Sequence, residues 1–135
     1  MPFKTTAANN TSVGFNSLKA NTTGASNTAV GSNALLAGTT AANNTALGNE
    51  ALRGTTTGGN NTAIGMECGY ATTGTDNTGM GYGAMQVTSG LRNTAIGTRC
   101  MQGATTGNNN VGLGYVAMGS VTSGAQNVGV GNDAG

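Results

Sequence analysis

Asn61-Thr62-Ala63-Ile64-Gly65 decides how this chain is read, because the chain returns to it at nearly even intervals. Its relatives start at Asn10, Asn27, Asn44, Asn77, Asn93, Asn110 and Asn127. The step is 17 residues everywhere except from Asn61 to Asn77 and from Asn77 to Asn93, where it is 16. Residues 10–135 therefore form a repeat domain of seven full copies and a partial eighth, behind an N-terminal lead-in, 1–9. A fixed period of this size predicts a solenoid, in which each copy buries its apolar face only against its neighbours.

Aligning the copies on the Asn turns the sequence into columns. The fourth is always a large aliphatic (Val13, Val30, Leu47, Ile64, Met80, Ile96, Leu113, Val130) and the fifth is always Gly, from Gly14 through Gly65 to Gly131. The eighth holds small residues, among them Ala51, Cys68 and Cys100, and the ninth reads Leu18, Leu35, Leu52, Gly69, Met85, Met101, Met118. The fourth and ninth columns are expected to supply the buried apolar surface. Thr-Ala-Ile suits a half-buried strand, and the Gly after it permits a bend that a Cβ would oppose. One copy thus reads as strand, bend, second short strand and turn. Helix is disfavoured, because no ten-residue segment lacks a Gly or a cluster of Asn and Thr. The fold class is all-β, a parallel β-helix or β-roll of 16–17-residue coils. The repeated Asn is expected to be structural, bonding local backbone and the amide of the next rung as a ladder.

Composition narrows the function classes. Only 7% of residues are charged and the net charge is +1, with the five basic residues scattered, so nucleic acid and anionic membrane are poor partners. There is no apolar run long enough to span a bilayer or to serve as a signal peptide, so no membrane insertion is expected. Two narrow aliphatic columns make a thin core. Chains are therefore expected to associate along their length, with three about a common axis burying those columns.

The recurring Asn-Thr-Ala-(Val/Leu/Ile)-Gly-x-x-Ala-Leu with its Thr-Thr-Gly spacer resembles the repeats of phage tail-fibre proteins. It is also similar to the head (β-roll) repeats of trimeric autotransporter adhesins, which carry an Ala-Ile-Gly-x-x-Ala core on a shorter period. The resemblance covers residues 10–135 and implies a homotrimeric fibre, extracellular or in a virion tail, for attachment to a host-surface glycan or protein receptor. The chain departs from both families in showing no recognisable coiled-coil stalk, membrane anchor or C-terminal chaperone domain.

Candidate chemistry is sparse. With no His there is neither a Cys-His pair nor a Cys-His zinc site. Cys68 and Cys100 stand where other copies have Ala or Ser and are expected to pack as small residues two coils apart, about 10 Å by rung spacing and beyond disulfide reach. The Gly-x-Gly-x-x-Ala strings at Gly79, Gly112 and Gly129 are products of the repeat, without the helix or acidic residue that dinucleotide binding needs. Glu50 and Glu67 share the seventh column and would stack as exposed like charges. No catalytic residue, metal ligand or cofactor is assigned, and an enzyme is not expected. The variable sixth column marks the outward face, and its rings Phe15, Tyr82 and Tyr115 are the candidate binding residues. The expected function is a stiff structural or adhesive fibre segment. Two alternatives are a self-assembling filament and an ice-binding solenoid using the second-column rank from Thr11 to Thr94.

Overall fold

The computed structural model describes residues 7–103 and 106–135. Its regular structure is one sheet of eight parallel strands in chain order: β1 (Thr11–Val13), β2 (Thr28–Val30), β3 (Thr45–Leu47), β4 (Thr62–Ile64), β5 (Thr78–Met80), β6 (Thr94–Ile96), β7 (Val111–Leu113) and β8 (Val128–Val130). Among the described residues there is no helix. The chain is a β-solenoid whose rungs lie like upon like: Thr45 pairs with Thr62, Ala46 with Ala63, Leu47 with Ile64. Register survives the 16-residue step, since Thr62 still pairs with Thr78. The missing residue comes from the spacer, where Thr55-Thr56-Thr57-Gly58 becomes Thr72-Thr73-Gly74. Residues 1–6 of the lead-in lie outside the described residues. Its end already belongs to the first coil, because Ser26 N donates to Ala8 O at 3.0 Å.

The second strand expected in each copy does not form; beyond the bend the backbone runs through successive turns. The cause is a set of left-handed residues spaced too closely for extended backbone. In the fourth coil these are Gly65 (φ 131), Glu67 (φ 56) and Gly69 (φ 60), and Asn60 (φ 57) stands just before the coil's Asn. The fifth-column Gly is required for a second reason. A Cβ on Gly65 would lie 2.6 Å from the Gly81 carbonyl oxygen of the next coil, inside any tolerable contact. In the ninth column the same φ is imposed on bulky residues, Leu35 (φ 48) and Met101 (φ 50) among them. Such strain is held only where surrounding packing over-determines it.

The expected core needs one correction. The ninth column is buried as predicted, but the fourth column faces outward: Leu47 is 46% exposed and Leu113 45%, while Val30 and Ile64 are half-buried. The alternation Thr-Ala-Ile is real with the opposite phase. Ala29, Ala46, Ala63 and Ala95 point inward. A coil of this length encloses a narrow interior, which the ninth-column Leu and Met side chains fill once the third and eighth columns opposite them stay small. The buried apolar residues fall into two groups, one with Leu18, Leu35 and Leu52, the other with Met85, Met101 and Met118. Gly69 interrupts the column between them.

From Asn27 to Asn110 the Asn column is a continuous buried ladder. Asn61 N donates to Asn44 Oδ1 at 2.9 Å, and Asn77 N donates to Asn61 Oδ1 at 3.0 Å. Asn61 Nδ2 donates to Gly74 O at 2.9 Å, across the end of its own coil. Each Asn side chain therefore closes its own coil and ties it to the next, while its backbone N–H is held by the Asn of the coil before, which satisfies polar atoms that would otherwise be costly inside.

Candidate functional site

The repeat sorts its chemistry by column, and stacking turns each column into a stripe along the rod. Apart from Lys4, the charged residues are Glu50, Glu67, Arg99 and Asp133 in the seventh column, Lys19 and Arg53 in the tenth, and Asp76 and Arg92 just before an Asn. The first six columns carry no charge in any copy. On that side the sheet presents the Thr rank of the second column and the aliphatic rank of the fourth. Next comes the bare Gly lane of the fifth column, then the sixth column. A charge-depleted, apolar stripe with aromatic residues along it has the composition of an interface centre.

Of the three candidate rings, the structure brings two together. Tyr82 and Tyr115 are 39% and 54% exposed on the same side, two rungs apart, with Thr98 between them. Phe15 is 74% exposed and stands alone in the first coil, followed in its column by Ser32 and Asn49. Arg99, not singled out from the sequence, lies with its Cζ 6.0 Å from the Tyr82 ring centroid, a cation–π arrangement. It comes from the seventh column of the next coil, and Arg99 N donates to Tyr82 O at 2.8 Å. Compared with family models, with curated proteins and with solved structures, the chain finds no match. Its site is therefore read from its own geometry.

Of the residues assigned structural roles, Asn61, Gly65, Cys68 and Cys100 serve the stack, whereas Ile64 lies on the outward face. Both cysteines are free and buried. Burial pushes the Cys68 thiol up to about 12, only partly offset by the backbone of Ile64, and raises Cys100 in the same direction. These are inert packing groups rather than nucleophiles. Gly79 explains why a thiol fits: a Cβ there would lie 2.8 Å from Cys68 Sγ, and at Gly112 one would lie 2.6 Å from Cys100 Sγ. The extra sulfur is accommodated by a missing methyl on the next rung.

Glu50 and Glu67 share their column but each has its own partner. Glu50 Oε1 lies 3.9 Å from Arg53 Nε, and Glu67 Oε2 accepts from Gln86 Nε2 at 3.2 Å. Arg53 also donates to the Tyr70 hydroxyl and packs over that ring at 5.3 Å. Among the described residues no three His, Cys, Asp or Glu side chains gather as a metal ion would need.

Proposed function

We propose that the chain is a structural and adhesive segment of an extracellular fibre, of the kind found in phage tails, and that it works as a homotrimer associated along the outward aliphatic stripe. The observation that carries this reading is the fourth column. An aliphatic side chain recurs there at every rung, among six columns that carry no charge in any copy. Eight of the ten large apolar side chains in the second and fourth columns are 37–73% exposed, and together they leave on the order of 700 Å² to water. That exceeds the apolar patch a monomer ordinarily leaves to water and matches one side of a standard protein interface. Identical chains in register would meet with like columns, without opposing charges and with no strand edge needed. The thin interior also fits a rod that completes its burial between subunits.

Light scattering tests the reading. The purified chain should have three times its 13.1 kDa mass, and Leu47→Glu, a charge placed in the stripe, should shift it to the single-chain mass with its β circular dichroism retained. A wild-type monomer at high concentration contradicts the proposal.

The second-column Thr rank supports a second reading, ice binding. Thr11, Thr28, Thr45, Thr62, Thr78 and Thr94 are in register beside the aliphatic rank and all at least partly exposed. The neighbouring column weakens it, because Val, Leu, Ile and Met alternate in shape where a crystal lattice asks for repetition. Thermal hysteresis in dilute solution would favour ice binding over the fibre.

A further inference from the structure

Along the fifth to seventh coils the Gly lane becomes a shallow groove. Its floor is Gly81, Gly97 and Gly114, its wall on the seam side Met80, Ile96 and Leu113, and its other wall Tyr82, Thr98 and Tyr115. The floor offers no spare donor, since Gly97 N donates to Met80 O and Gly114 N to Ile96 O, both at 2.8 Å. Recognition there falls to side chains. Arg99 stands one rung from each tyrosine, is exposed, and forms no ion pair among the described residues. Between Asp76 and Asp133 the chain holds two arginines, Arg92 and Arg99, and no acid. The groove is therefore open, linear, aromatic and positive.

We propose that this lane binds a linear glycan bearing uronate carboxylates. Tyr82 and Tyr115 stack on sugar rings two units apart, and Arg99 pairs with the carboxylate of the ring between them. Two rungs of a parallel stack span about 10 Å, roughly the run of two sugar rings. A flat pyranose face suits an exposed tyrosine, and a guanidinium matches a carboxylate in a fork geometry that a lysine would not offer. A single-stranded nucleic acid would also stack on the rings. It would need cations along the whole lane, which here has one. The tyrosines stand across the Gly lane from the aliphatic stripe, so they remain at its rim when chains associate.

The inference rests on the adhesive reading, and calorimetric titration tests it separately from self-association. The 135-residue chain is titrated with hexagalacturonate, with its methyl ester and with an oligothymidylate of equal length, and its mass is measured in the same sample. Hexagalacturonate should bind and the ester should bind more weakly. Tyr115→Ala should weaken binding at least roughly fivefold. Arg99→Gln should abolish the preference for the acid over the ester, and Lys19→Gln, which removes an exposed cation far from the lane, should change nothing. All three side chains are exposed, so unchanged melting curves verify that the variants fold. No binding of hexagalacturonate, binding indifferent to Tyr115 and Arg99, or tighter binding of the oligothymidylate overturns the proposal. A trimer that ignores hexagalacturonate overturns the glycan site alone, and a monomer that binds it overturns the fibre reading alone.

Discussion

At the residue scale, the ninth column shows a core winning over backbone preference. Leu35 adopts φ 48, a conformation that costs an L-residue with a Cβ about 1–2 kcal/mol, with its side chain fully buried in the interior. Leu35→Ala should lose about 2–5 kcal/mol in urea unfolding through the cavity it leaves. Leu35→Gly should be no worse than Leu35→Ala, reversing the usual order, because Gly removes the left-handed strain. If the Gly variant is clearly the less stable, strain is not stored there.

The cysteines make a second residue-scale test. Gly79→Ala should cost about 1–3 kcal/mol by forcing a methyl onto Cys68 Sγ, and adding Cys68→Ala should recover most of it. The combined variant recreates the Ala–Ala pairing of Ala34 with Ala46 and Ala51 with Ala63. The raised Cys68 pKa fixes a pH dependence. The unfolded thiol, near 9.0, releases its proton before the folded one at about 12, so above pH 9 the unfolded state binds fewer protons. Stability present below pH 9 should fall between pH 9 and 12 in melting curves taken across that range, and Cys68→Ala should shrink the fall, leaving the part that Cys100 contributes.

At the scale of the element, each rung is held less by its three-residue strand than by what joins it to the next. Asn61→Ala strips the partner from Asn77 N and from Gly74 O, and should cost about 2–4 kcal/mol by urea unfolding. Gly65→Ala and Gly131→Ala share φ near +130, yet only the first meets a following coil, at 2.6 Å; the nearest atom at Gly131 is Ala134 Cβ, at 3.9 Å. The difference between their destabilisations isolates the cost of parting two rungs, and equal losses would refute the stacking account.

This scale also shows what the sequence could say. Period, strand position, Asn ladder and Gly bend were legible, because each repeats a residue type with one physical use. The phase of the strand was not. In Thr-Ala-Ile two adjacent residues are apolar, and hydrophobicity alone does not say which faces in. Volume decides, and only a known interior width reveals that Ala63 fits where Ile64 would not. The lack of a second strand is hidden for a related reason: nothing in the types of Leu52 or Met85 announces a left-handed φ. Tyr82 and Tyr115 could be placed on one side from their shared column. Arg99 could not, because its contact with Tyr82 joins different columns of successive coils.

At the scale of the whole molecule, the chain is a rod whose first six columns carry no charge, while every charged residue of the repeat lies in the seventh column, in the tenth or just before an Asn. On the proposed reading, the outward aliphatic column is a seam between copies of the chain, held in register. Disulfide trapping at Ile64 tests this most directly, using Ile64→Cys with Cys68 and Cys100 both replaced by Ala, under mild oxidation at low protein concentration. The account predicts a covalent product of twice the chain mass, formed because residue 64 of one chain faces residue 64 of another. In a trimer one thiol in three stays unpaired, so about a third of the chains keep the single-chain mass; a sample that stays entirely at single-chain mass would contradict the seam.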